Sequence, residues 1–302
     1  MFDDPPATRL PHPVPARLVL RPGLRVVRRD DRHLQVGIDP PHRLVAPDEP
    51  DVRRVADDLG RGRSPEPDTP AGRRFLADLL AHELVVAGAD LDDALATGAD
   101  RSAVAAAFAQ FGADAPRRLA ARAAAVIGVD APEEHRQSVT RLLRASGAGS
   151  SHAAADADVL LVVSGGELRR DTLDRVVRAG RPHLVVIGGH GGVTVGPFVV
   201  PGLTACLRCV DAQRGESDPR RATVVEQCAQ AAPHSGAEPR DPALLAMAVA
   251  WAVRDLVSFV DGDQPATWST SVELGPDLGL VRRRWPRHPH CGCSWGEGLA
   301  AG

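Results

Sequence analysis

The spacing of four cysteines constrains this chain more than any other feature. Cys206-Leu207-Arg208-Cys209 lies two-thirds of the way along, and Cys291-Gly292-Cys293 lies almost at the end of its 302 residues. A tetrahedral structural zinc site takes four thiolate or imidazole ligands, and a short C-x-x-C turn supplies two of them. Two such turns far apart in sequence close a long loop, so a shared metal fastens the C-terminal segment onto the body of the chain. The expectation is a structural Zn2+ site with Cys206, Cys209, Cys291 and Cys293 as ligands. A disulfide framework suits small secreted chains. A redox C-x-x-C opens a helix in a thioredoxin-like unit, which nothing upstream suggests. An iron–sulfur cluster uses the same ligand type and stays open from sequence. His288 and His290 flank the last pair as substitutes for a thiolate, with four cysteines the simpler set.

Length and charge bound the partners. The chain has room for two domains. Its formal net charge of −3 gives no bulk attraction for nucleic acid. Every basic side chain other than histidine is arginine, and tyrosine is absent, a pattern of GC-rich coding rather than of function. No apolar run is read as long enough to span a bilayer. The first fifteen residues are acidic and proline-rich, unlike a signal peptide. A cytoplasmic protein is expected.

Residues 1–16 read as a disordered tail. From residue 17 the pattern is strand-like: Leu18 to Leu20 and Leu24 to Val27 around a Pro22-Gly23 turn, then the alternating Leu34, Val36 and Ile38, then Arg43-Leu44-Val45. This predicts a three-stranded antiparallel meander. Pro50-Asp51 opens a helix ended by Gly60, and Thr69-Pro70 caps another whose apolar face runs from Phe75 to Leu84. Strands followed by helices over 17–90 predict a winged-helix-like α+β module, and 91–118 a helical linker. A DNA-reading helix here would carry Arg73 and Arg74 but also Asp78 and Glu83, a mixed rather than basic face. The alternative use of a small sheet is to accept an extended peptide as an added strand. Arg43, Leu44 and Val45 then form the open edge, and the helix carrying Arg73 is the groove wall.

The second domain, 119–302, alternates continuous apolar strands with helices: Ala125 to Val129, Val159 to Val163 and His183 to Ile187, separated by helices over 132–145 and 171–179. That pattern predicts an α/β fold with a Rossmann-like parallel sheet. The stretch between the first helix and Val159 is short, so a full second strand is expected to be missing. A nucleotide site after the first strand needs glycines that let the backbone approach phosphate. The chain offers Gly128-Val129-Asp130-Ala131-Pro132, where one glycine survives, a carboxylate stands in the way and proline removes a donor. This is a degenerate cofactor turn.

The run from Gly196 through Pro201 to Cys209, and the ending Trp285-Pro286-Arg287-His288-Pro289-His290-Cys291-Gly292-Cys293, resemble the zinc knuckles of E1-like (ThiF/MoeB-type) proteins. They look most like the azole-forming cyclodehydratase branch of peptide natural-product biosynthesis, the leader-peptide-binding "C protein". The resemblance is clearest over 196–293, weaker over 17–90 and weakest over 120–165. It implies a winged-helix element that binds a precursor or leader peptide, a YcaO-type partner that performs the ATP chemistry, and a homodimer. Active E1-like enzymes carry a glycine-rich phosphate turn, characteristic lysine and arginine side chains, and an aspartate near magnesium. Here the turn is degraded, lysine is absent, and Ser164-Gly165-Gly166 follows the strand where that aspartate belongs.

Cys228 falls in the region of the family's mobile crossover loop, and as a nucleophile it would need a nearby cation or a helix N-terminus; His234 is close in sequence. Gly188-Gly189-His190-Gly191-Gly192 reads as a turn between strands, not a phosphate cradle. Arg282-Arg283-Arg284 reads as a solvated strand end near the thiolates, and the apolar helix over 243–260 as core with part of its surface free for a subunit interface. The function expected from the sequence is a non-catalytic scaffold that binds a peptide. The alternatives are an active E1-like adenylyltransferase and a zinc-containing DNA-binding regulator.

Overall fold

The structure is a computed structural model and describes residues 17–151, 156–189, 191–231 and 241–293. The expected tail, His190 and His234 lie outside the described residues. Internal contacts divide the chain between Leu119 and Ala120 into two compact units.

The first unit opens with β1 (Leu18–Leu20) and then β2 (Val26–Arg28), β3 (His33–Val36) and β4 (Leu44–Pro47). The last three form an antiparallel sheet in the order β2-β3-β4. β1 does not belong to it. The turn at Pro22-Gly23, closed by Leu24 N–H to the Arg21 carbonyl at 3.0 Å, redirects the chain. β1 instead pairs antiparallel with β5 (Val85–Ala87), a strand absent from the sequence reading. Strand β3 ends at Val36, so Ile38 is left 81% exposed rather than buried.

Helices α1 (Pro50–Gly60) and α2 (Pro70–Ala81) pack on these strands, and α3 (Gly88–Ala96) and α4 (Arg101–Phe111) follow β5. A knot of hydrogen bonds ties α1 to the start of α2. Asp51 Oδ2 accepts from the Thr69 N–H and the Thr69 hydroxyl, both at 2.8 Å, and from the Asp68 N–H at 3.0 Å. Its Oδ1 lies 2.6 Å from the Arg54 guanidinium. Thr69 in turn caps α2 by accepting from the Gly72 N–H at 3.1 Å. A Cβ on residue 72 would lie 2.1 Å from Asp51 Oδ2, so only glycine permits the approach. α2 ends in a Schellman turn: Leu84 N–H reaches the Leu79 carbonyl at 2.8 Å, Glu83 N–H reaches that of Leu80 at 3.1 Å, and Glu83 sits at φ 54°. That turn releases Leu84 from the helix and starts β5.

The second unit takes up α5 (Ala115–Ala124), which crosses the division, then β6 (Val126–Asp130), α6 (Glu133–Ala145), β7 (Gly149–Ser151), β8 (Val159–Ser164), α7 (Arg170–Arg178), β9 (His183–Gly189) and β10 (Gly192–Val199). Helices α8 (Leu207–Gly215), α9 (Arg221–Gln230) and α10 (Pro242–Val260) precede a hairpin of β11 (Thr270–Leu274) and β12 (Leu280–Arg284). Seven strands form one mixed sheet in the order β12-β11-β10-β9-β8-β6-β7. β7, β6, β8 and β9 run parallel, and β10, β11 and β12 extend the sheet antiparallel. The second parallel strand is therefore present, as the three-residue β7. Its small, polar Gly-Ser-Ser sequence carries no apolar signal.

α10 is long and apolar enough by length and composition to cross a bilayer, contrary to the sequence expectation. In the structure it is a core helix: Leu244, Leu245, Ala248, Ala252 and Leu256 are buried in the main cluster with Leu161, Leu184 and Phe198. At its end Asp261 is fully buried and receives both Nε and Nη2 of Arg122, each at 2.6 Å. A desolvated guanidinium without its carboxylate is expensive, and Arg122 is itself buried, so Asp261→Ala should lower unfolding free energy by about 3–5 kcal/mol in chemical denaturation.

The Asp51 knot makes a pH prediction. Hydrogen bonds from Thr69 hold the Asp51 carboxyl down at about 2. An unfolded aspartate titrates near about 3.9, so this stabilisation is complete above about pH 4 and is lost as pH falls toward 2. Asp51→Asn should flatten that acid limb in a pH series of thermal melts.

Candidate metal centre

Two arms deliver the four sulfurs. In the first, Cys206 is the N-cap of α8 in an extended conformation (φ −90°, ψ 174°), and Cys209 lies in the helix's first turn. Both sulfurs thus sit at a helix N-terminus, where backbone dipoles favour negative charge. The second arm leaves β12 through the buried Trp285, whose indole N–H donates to the Ser271 hydroxyl at 2.8 Å. The chain then turns with Cys291 N–H bonded to the His288 carbonyl at 3.0 Å. Ser269 joins the arms: its hydroxyl accepts from the Ala205 N–H at 3.1 Å, and its carbonyl accepts from the Trp285 N–H at 2.7 Å. The sequence reading missed Ser269, and no motif marks it; its φ of 47° is a tertiary requirement. Gln213 of α8 adds a side-chain bond to the Pro286 carbonyl.

The sulfurs of Cys206 and Cys209 are 3.8 Å apart, those of Cys206 and Cys291 3.6 Å, and those of Cys209 and Cys293 3.4 Å. All four ligand atoms lie within 4.8 Å of one another. With metal–sulfur bonds of about 2.3 Å, the edge of a regular tetrahedron is about 3.8 Å. The spacing fits four thiolates around one ion and is far too long for an S–S bond. A multi-iron cluster spreads its cysteines over separate irons, so the compact set also speaks for a single ion. It is compatible with Zn2+. Cys206, Cys209 and Cys291 are buried and Cys293 is half-buried. His288 and His290 are not part of the set: His288 Nδ1 accepts from the His290 N–H at 3.2 Å, and its Nε2 faces Glu216 at 3.5 Å.

The electrostatics call for a cation. Hydrogen bonding to Cys206 and Cys291 pulls the Cys209 thiol far below its usual range. Hydrogen bonding to Cys209 and Cys291, then burial, pushes Cys206 far above it. Sulfurs this close cannot all ionise together unless a positive ion lies among them.

The other residues singled out from sequence lie elsewhere. Gly128 is not in the turn after the first strand. It is buried within β6, opposite Ser151 and Leu160. The turn itself is Ala131-Pro132, with no glycine, and α6 then begins with Glu133 and Glu134. Asp130 is exposed at the strand end. Parallel strands in the order β7-β6-β8-β9 make the mouth between β6 and β8 the topological switch point, the usual ligand crevice of open α/β sheets. A cleft at the ends of β8 and β9 is lined by Gly165, Gly188, Gly189, Gly192, Asp241 and Pro242 among others. Gly188 is there because a Cβ would lie 2.6 Å from the Gly165 carbonyl oxygen. The only charged side chain among the described lining residues is Asp241, whose carboxylate caps α10 by accepting from Ala243 N–H at 2.8 Å and Leu244 N–H at 3.1 Å.

Cys228 is exposed within α9, not in a loop and not at the helix N-terminus. In the first unit, β4 is an edge strand. Its register places Leu44 and Ala46 in hydrogen-bonded pairs with β3, so the N–H and carbonyl of Val45 point outward. Arg43 and Val45 are exposed and Leu44 is half-buried. Arg73 is exposed on α2, with Nη1 bonded to the Asp68 carbonyl at 2.8 Å, and α2 packs against β4.

Cys206→Ser and Cys291→Ser should each lose bound metal in elemental analysis and melt well below the wild type, because metal binding and local folding are coupled. Variants that lose metal yet melt like the wild type would show that the sulfurs do not fasten the arms.

No protein-family model matches the chain, and no curated protein matches it. Solved structures do. The heterocyclase TruD superposes over 93% of this chain with a TM-score of 0.68 and 18% identity. A heterocyclase in complex with substrate and cofactor superposes over 92% with a TM-score of 0.66 and 14% identity. The chain spans only about two-fifths of those proteins, 43% and 39% of their lengths. Escherichia coli MccB, solved with AMPCPP and MccA, matches over 92% of this chain and 99% of its own, with a TM-score of 0.58 and 12% identity. At these identities the likeness is one of fold.

Proposed function

We propose that this chain is a non-catalytic, peptide-binding scaffold of the E1-like type, which carries a precursor peptide to a separate modifying enzyme of the YcaO type. In this reading the first unit is a winged-helix-like module, the second a degenerate Rossmann-like domain stapled by Zn2+, and the protein works as a homodimer. The observation that carries the reading is the open edge of β4. Outward backbone groups at Val45, flanked by Arg43 and by the helix bearing Arg73, are what an extended peptide needs to add as a fourth strand. Fold neighbours solved with MccA and with a heterocyclase substrate support a role in modifying peptides made by ribosomes.

The geometry of the crevice supports a carrier rather than an adenylating enzyme. Phosphate binding needs backbone donors and cations. Here the turn after β6 is Ala131-Pro132, the first turn of α6 is acidic, and the Asp241 carboxylate occupies the N-terminus of α10. These features repel a triphosphate.

Val45→Pro tests the edge. It removes the outward N–H while leaving the β3 ladder intact, a change edge strands tolerate. Peptides selected on the wild type by display should bind Val45→Pro at least about tenfold more weakly, with the melting temperature little changed. Peptides that bind both forms equally, or a selection that enriches none, would remove the edge from the account.

A further inference from the structure

In the second unit, α8, α9 and the β11–β12 hairpin bring together arginines that make no direct hydrogen bond to a carboxylate among the described residues. A cavity of about 80 Å³ is lined by Glu167, Arg170, Asp211, Arg214, Arg221 and Ser271, among others. Arg170 is fully engaged: Nε and Nη2 lie 2.6 and 3.2 Å from Asp211, and Nη1 lies 2.8 Å from Glu167 and 2.6 Å from the Leu168 carbonyl. Both lining carboxylates are thereby committed. Arg221 Nε is 3.8 Å from Asp211 Oδ1, beyond hydrogen-bond reach. It is a buried nitrogen with no hydrogen-bond partner among the described residues. Arg214 lies over the Trp285 ring at 5.1 Å and has no carboxylate partner among the described residues. Arg283 stands opposite Ser271 in the ladder, on the same face of the hairpin.

We infer that Arg214, Arg221 and Arg283 form a binding site for a carboxylate group. Among the charged groups that line the cavity, three guanidiniums (Arg170, Arg214 and Arg221) face two carboxylates (Glu167 and Asp211), which leaves one positive charge unmatched. One carboxylate restores neutrality, and its two oxygens suit a pair of guanidinium forks. The Ser271 hydroxyl accepts from Trp285, so its own proton is free to point into the cavity. The cavity has room for a group of a few atoms rather than for a nucleotide. Burial, and then the charges of Arg221 and Arg283, hold Arg214 below the ordinary guanidinium range, against the opposing pull of Asp211 and Glu273. This site belongs to the second unit and stands or falls independently of the β4 edge.

The carboxylate belongs either to a peptide C-terminus or to a small free acid. Calorimetry of the metal-loaded full chain with N-acetyl-trialanine acid, its C-terminal amide, acetate and inorganic phosphate separates these. The peptide acid should bind at least about tenfold more tightly than its amide, and Arg214→Gln and Arg221→Gln should each weaken it about tenfold. Arg178→Gln on α7, outside the cavity, should change nothing. Acetate binding as well as the peptide acid identifies a small acid as the source; a marked preference for the peptide acid identifies a C-terminus. Arg283→Gln, at an exposed position, serves if the Arg214 or Arg221 variant loses its metal or its fold. Phosphate binding tighter than either carboxylate, equal binding of acid and amide, binding unchanged in the arginine variants, or no saturable binding would overturn the site.

Discussion

Four sulfurs within 4.8 Å of one another join two arms that lie far apart in the chain. The apolar cluster under the knuckles is small, built from Val199, Ala205, Val210 and Trp285 with the cysteines themselves. Hydrophobic burial of that size does not fix two arms separated by α9, α10 and a hairpin against the entropy of the loop they close. A structural metal supplies far more, on the order of 10 kcal/mol in small zinc peptides. Ser269 and Gln213 then set the angle at which the arms meet. Fastening α8 to β12 would also keep Arg214 and Arg283 close to one another.

The parallel half of the same sheet leaves a crevice at its switch point, the place where open α/β sheets bind ligands. The switch point between β6 and β8 is intact as backbone. Its surroundings offer little to an anion: Ala131-Pro132 forms the turn after β6, and Glu133 and Glu134 open α6. A fold conserves its crevice more readily than the groups that make the crevice reactive. The β4 edge needs only backbone groups and an unblocked side.

Much of this was legible in the sequence where a residue's chemistry is local. The four cysteines form the set that their spacing implied, and the continuous apolar runs at Val159 and His183 are parallel strands as their composition required. Illegible features depended on partners distant in sequence. Leu84-Val85-Val86 continues the apolar periodicity of α2, and only a Schellman turn at Glu83 converts it into a strand. Gly128 looked like a turn glycine because the strand's end is set by pairing with β7 and β8, and Asp130 still pairs with Val162. Cys228 lies in a stretch with little helical periodicity that nonetheless forms α9. Ser269 and Arg221 matter through contacts that no spacing rule reports.

The most direct test of the carrier reading is calorimetric titration of the metal-loaded protein with ATP and magnesium. No saturable heat up to millimolar nucleotide is expected from a crevice lined by carboxylate and lacking glycine donors in its turn. Saturable binding in the micromolar range would contradict the carrier reading, restore the switch point as a working nucleotide site, and return the chain to the adenylating enzymes.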